Sequence, residues 1–121
     1  MERINLVIVG CQHRVESADK MRFDRDWATK VRLQSEPQNV FDKDAVAFIY
    51  LDEQDTAYPV GYVARQYLPE VQDLLAKHDS SELEFRLTNA KTLPPKAVKG
   101  LGDDYPYLTI LHWFELEVTL K

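Results

Sequence analysis

No apolar run in this chain is long, and that limits what it can build. The two strongest, LVIVG near the start and YLTILHWF near the end, stop short of the ~18 residues that a membrane-crossing helix needs. Ile4–Val9 is compact and β-branched, ends at Gly10, and reads as a core strand. Val31, Leu33 and Ser35 alternate with Arg32 and Gln34, and Leu83, Phe85 and Leu87 alternate with Glu84 and Arg86. That period of two marks half-buried strands. Residues 45–51 and 58–63 add two more strands, and a long final one is expected over 107–120.

Only one segment repeats clearly at helical spacing. Tyr67, Val71, Leu74 and Leu75 share a face over residues 65–78, with Pro69 in or near the first turn, where its missing N–H costs nothing. Residues 11–29 are polar and ambiguous, with Met21, Phe23 and Trp27 as anchors. Residues 91–104, with two prolines and two glycines, read as a loop. Six short strands with one main helix predict an α+β, mainly β fold. The expectation is a small, partly open, OB-like barrel occupying residues 1–121 as a single domain. Strand order does not follow from periodicity.

Composition narrows the function. Fifteen Lys and Arg against twenty Asp and Glu leave a formal charge of −5, which argues against a broad grip on a nucleic-acid backbone. The charge is uneven, however. Residues 13–32 carry six Lys or Arg and four acids, and residues 89–102 carry three lysines and no acid. The single cysteine, Cys11, excludes an internal disulfide and suits a reducing, cytoplasmic setting; no signal-peptide pattern opens the chain. His13, His78 and His112 are too scattered for a metal site, and Cys11 with His13 lacks further ligands. No phosphate-cradling glycine loop is present. No cofactor and no catalytic activity are expected.

One connection is out of proportion. Between the second and third strands the chain runs EPQNVFDKDAV, Glu36 to Val46, where a hairpin needs only a two-residue turn. Asn39 and Asp42 are typical of Asx-turns, and turn chemistry alone could account for both. Phe41 could be a core ring, although an aromatic inside a polar loop favours exposure.

This stretch carries a resemblance. Glu36-Pro37-x-Asn39-x-Phe41-Asp42-x-Asp44-Ala45-Val46, followed by Gly61-Tyr62-Val63 and a helix, resembles the HIRAN domain. The opening VIVG fits that family's first strand. The resemblance covers about residues 4–12 and 31–78, more weakly the last strand. It implies an OB-like barrel that captures the free 3′-hydroxyl end of single-stranded DNA. Family members often sit within helicase-like translocases, so a DNA-processing partner and a role in repair, replication or mobile-element processing are implied as well.

Carried over by position, Asn39 and Asp42 are the end-reading pair, Phe41 a flanking ring, and Tyr107 the stacking aromatic that begins the last strand. Arg65, at the helix start, is expected near the same face, although a solvated helix-end arginine is the plainer alternative. The chain departs from the family just after its first strand. Gln12 and His13 stand where DNA-binding relatives have arginine and tyrosine, with Arg14 one place late. Losing that arginine removes a charge-assisted phosphate contact, so either Arg14 replaces it or end binding is weakened. The competing expectation is a protein-interaction barrel holding a peptide in the same groove.

Overall fold

The computed structural model describes residues 3–121. Six strands form one antiparallel sheet: β1 (Ile4–Val9), β2 (Val31–Ser35), β3 (Val46–Leu51), β4 (Ala57–Val63), β5 (Leu83–Leu93) and β6 (Ile110–Leu120). Their order is β2-β3-β4-β1-β6-β5, so the first strand lies at the centre, between β4 and β6. Two helices complete the fold: α1 (Val15–Arg22) and α2 (Leu68–Lys77), the latter preceded by a 3-10 turn at Arg65–Tyr67. The chain is therefore α+β and mainly β, as expected.

No strand pairing joins the two edge strands, β2 and β5, among the described residues. The sheet curls without closing. Its curl is visible in the core, where the Phe48 ring of β3 meets both Phe85 of β5 and Phe114 of β6, centroids 5.8 and 5.5 Å apart. Edge-on contacts of that kind pack aromatic rings without voids. Leu6, Ile8, Val46, Phe48, Phe114, Leu116 and Val118 are almost wholly buried at the centre of the same cluster. At the β2 edge, the amide of Leu33 donates to Ser80 Oγ at 2.9 Å, so part of that edge is capped by the turn after α2.

β4 and β1 approach unusually closely. A β-carbon on Gly61 would lie 2.6 Å from the Val9 carbonyl and 2.8 Å from Ile8 Cγ2. Only glycine permits this spacing. A register shift between Phe48 and Ile49 lies beside it in the β3–β4 ladder, a bulge that bends the sheet locally.

Three expectations are revised. Residues 15–22, read as ambiguous, form α1, burying Ala18, Asp19 and Met21. β5 runs on to Leu93 rather than stopping near Leu87, because β6 pairs with it through Leu93. β6 correspondingly begins at Ile110, leaving Tyr107 before the strand. The expected helix over 65–78 appears as the 3-10 turn and α2, with Leu68, Val71 and Leu74 buried and Lys77 closing its last turn. No described helix is long and apolar enough to cross a membrane.

Candidate functional site

The β2–β3 connection is built by its own side chains. The Asn39 Oδ1 accepts the amides of Phe41 and Asp42 at 2.9 and 3.1 Å, while its Nδ2 donates to Glu36 Oε1 at 3.0 Å. Asp42 Oδ1 in turn accepts the amide of Asp44 at 2.9 Å. These are Asx-turns in sequence, so the plain reading of both residues holds for the backbone. It does not exhaust them. Asn39 keeps one Nδ2 hydrogen, and each carboxylate oxygen of Asp42 has further lone pairs.

The loop is anchored at both ends. The Glu36 amide donates to the Ala45 carbonyl at 2.9 Å, and Ala45 and Val46 return to the core. Gln72 on α2 clamps the far side, donating to the Asp44 carbonyl at 2.9 Å and accepting from Ser35 Oγ at 3.0 Å. Tyr62, on β4, donates its hydroxyl to Glu36 Oε1 at 3.0 Å. Burial and that carboxylate together raise the Tyr62 phenol above its ordinary pKa.

This scaffold opens a cleft of about 470 Å³, lined by Arg14, Asn39, Phe41, Asp42, Tyr62 and Arg65 among others. The Arg65 Nη2 lies 3.5 Å from Asp42 Oδ2. The Arg14 guanidinium sits 5.5 Å over the Tyr62 ring, within cation–π range. At the loop tip, Val40 and Phe41 are 89% and 95% exposed. An exposed ring, a carboxylate and two guanidinium groups thus border one concave surface.

The expected residues divide among three places. Asn39, Phe41, Asp42, Arg14 and Arg65 share the cleft. Gln12 and His13 do not; they line a second cavity with Leu93, Val98 and Lys99. Tyr107 is also elsewhere, in a third cavity with Phe23 and Tyr105, and its ring stacks on Phe23 at 5.1 Å. The expectation that Tyr107 joins the Asn39–Asp42 surface is therefore corrected. With β6 starting at Ile110, residues 105–109 lie along α1, where Arg22 Nη1 donates to the Thr109 carbonyl at 3.2 Å. That contact draws the segment to the C-terminal end of α1, whereas Arg14 precedes its first turn.

Tyr62, Glu36 and Gln72 were not singled out from the sequence as supports of this cleft. Tyr62 had a usable signal: as the residue after Gly61 it lies on the strand face opposite that of its neighbours.

No family model matches the chain, and no curated protein does. Among solved structures, a crystal structure of a protein from Lactobacillus plantarum, a structural genomics target, is similar in fold. It is 18% identical with a TM-score of 0.51, covering 94% of this chain and 96% of that one. At that identity the likeness concerns the fold alone.

Proposed function

We propose that this protein is a non-catalytic module that captures a single-stranded DNA end bearing a free 3′-hydroxyl in the cleft between the β2–β3 loop and the start of α2. The observation that carries the reading is the grouping of Asp42 with two arginines, Arg14 and Arg65, around one cleft. A terminal hydroxyl donates a hydrogen bond that a carboxylate accepts. A phosphate at the same point meets like charge and is refused. The neighbouring guanidinium groups supply what Asp42 cannot, charge-assisted bonds to the phosphate linking the terminal nucleotide to the next.

The resemblance to the HIRAN domain agrees with this assignment of Asn39, Phe41 and Asp42. Arg14, reaching the cleft although two positions past Gln12, takes the part of the arginine that Gln12 replaces. Phe41 supplies a ring for a base, worth about 1–3 kcal/mol. The curled six-stranded sheet serves as an OB-like half-barrel, and a DNA-processing enzyme of the helicase class is the partner this reading implies, in repair, replication or mobile-element processing within the cytoplasm.

A second reading rests on the loop tip. Val40 and Phe41 together expose an apolar surface that a peptide could cover, which suits a protein-interaction module. Titration of matched oligothymidylates ending in a 3′-hydroxyl or a 3′-phosphate separates the two. Tighter binding of the hydroxyl end by ~2–5 kcal/mol, the scale of a charge facing like charge in an interface, supports end capture. No binding of either oligonucleotide moves the assignment to the peptide reading.

A further inference from the structure

Toward the C-terminal end of α1 lies a larger cavity, about 590 Å³, that shares no lining residue with the Asp42 cleft. Its wall is aromatic. Phe23 and Tyr107 stack with centroids 5.1 Å apart and planes 27° from parallel. Tyr105 meets Tyr107 at 5.1 Å, tilted by 58°. Phe23 is 57% exposed and Tyr107 39% exposed, so these rings face solvent where a core would have hidden them. Glu16, Asp19 and Glu53 line the same cavity.

Asp19 is the informative carboxylate. Its side chain is 8% exposed, and its Oδ2 accepts the Tyr105 hydroxyl. Among the described residues its Oδ1 has no hydrogen-bond partner; Arg22 Nη1 makes a loose ion pair with it at 3.9 Å, too long for a hydrogen bond. A shielded carboxylate oxygen with a loose ion pair and no hydrogen bond is costly and draws a better-placed cation.

The ammonium groups that line the cavity are already engaged. Lys30 pairs with Asp24 at 2.8 Å, and Lys20 lies 5.0 Å over the Tyr58 ring. The molecule also shows how it holds a guanidinium at this site. Arg22 rests 4.7 Å over the Phe23 ring while donating to the Thr109 carbonyl. Aromatic surface, carbonyl and a nearby carboxylate are its partners. Among the described residues the Tyr105 and Tyr107 rings carry no cation, and of the carboxylates beside them Asp19 has only the distant Arg22 guanidinium.

We infer that this cavity docks an arginine side chain of a partner polypeptide, its guanidinium stacked on the Tyr105–Tyr107 wall and attracted by Asp19, Glu16 and Glu53. Arginine fits better than lysine because its planar, weakly hydrated group stacks on rings as well as pairing with carboxylates. A nucleotide fits worse, since its phosphate would be brought toward a lining of four acids and two lysines, negative on balance. The inference stands apart from the DNA-end reading and uses none of its residues.

The test is a titration of the full-length, isotope-labelled chain with a capped Gly-Gly-Arg-Gly-Gly peptide, its Gln and Lys counterparts, and oligothymidylate, followed by amide resonances. The arginine peptide is expected to shift the Phe23, Tyr105 and Tyr107 amides saturably and more strongly than the other two peptides. Phe23→Ala and Tyr107→Ala should each weaken that response about threefold or more, the scale of a cation–π contact, with the dispersed spectrum of each variant confirming its fold. Arg14→Gln should leave it unchanged. Equal responses to all three peptides, or none to the arginine peptide, overturn the proposal. So does oligothymidylate shifting the same amides more strongly than the arginine peptide, which would assign the cavity to nucleic acid.

Discussion

Arg65 and Asp42 form an ion pair whose two partners are unequally exposed: the Arg65 side chain is 77% exposed and that of Asp42 27%. A pair so open to solvent contributes only about 0–1 kcal/mol. The guanidinium can therefore turn to an incoming phosphate at little cost, while the loop holds the carboxylate in place through the Asp44 amide. On the proposed reading, an exposed guanidinium and a fixed carboxylate suit a site that pairs with itself until a DNA end arrives.

From this arrangement, Asp42→Asn should weaken binding of a 3′-hydroxyl end and also shrink the penalty against a 3′-phosphate, because the repelling charge is gone. Arg65→Gln and Arg14→Gln should weaken both oligonucleotides and flatten the salt dependence. With two cations engaged, the logarithm of the binding constant should fall with that of salt at a slope of roughly −1.4. Fluorescence anisotropy across a salt series measures both effects; a much steeper slope would contradict so small a contact.

Phe41→Ala should weaken hydroxyl and phosphate ends alike by about 5- to 150-fold, since stacking does not sense the terminus. Tyr107→Ala should leave oligonucleotide binding intact, because its ring lies with Phe23 outside the cleft. The same titrations decide this, and an equal loss from Tyr107→Ala would mean that the strand runs the length of α1.

Gly61→Ala should destabilise the fold by about 1–3 kcal/mol, the usual cost of overpacking. The added methyl meets the Val9 backbone carbonyl at 2.6 Å, which cannot rotate away. Urea denaturation should show a lower midpoint with an unchanged slope.

Asp24 links stability to acid. Lys30 and then the Tyr50 hydroxyl, bonded to its carboxylate, lower its pKa from 3.8 to about 2. A folded pKa below the unfolded one means that this stabilisation is complete above the ordinary carboxylate value and disappears as pH falls through about 2. Tyr50 runs the other way, its phenol raised to about 12 chiefly by the Asp24 bond. Its share is complete below about 10 and vanishes as pH rises through about 12. Following the Asp24 carboxyl carbon by NMR should give a midpoint well below that of an unpaired aspartate, and Lys30→Met should raise it.

What could be read before any coordinates were the local periodicities. Leu33 between Arg32 and Gln34, or Phe85 between Glu84 and Arg86, carry a period of two that only a half-buried strand satisfies, and Val71 with Leu74 and Leu75 the spacing of a helix face. The Glu36–Val46 loop was legible as well, because its turn residues are local chemistry: Asn39 bonds amides two and three residues on. α1 was not, since its buried residues, Ala18, Asp19 and Met21, include a small one and a charged one. Nor was the end of β5, whose Asn89–Lys91 stretch is exposed and held by pairing with β6.

The sequence by itself determined which segments became strands, where α2 lies, and that Asn39 and Asp42 shape an exposed loop, because those outcomes depend on residues within a few positions of one another. Only the tertiary structure decided which side chains meet. Arg14 reaches Asp42's cleft because α1 lies along β4, and Tyr107 is drawn away from it because Arg22 holds Thr109 at the other end of that helix. The sheet stays open because, among the described residues, nothing pairs β2 with β5. Such contacts join residues dozens of positions apart, and their energies are set by packing against the whole core, which no local pattern encodes.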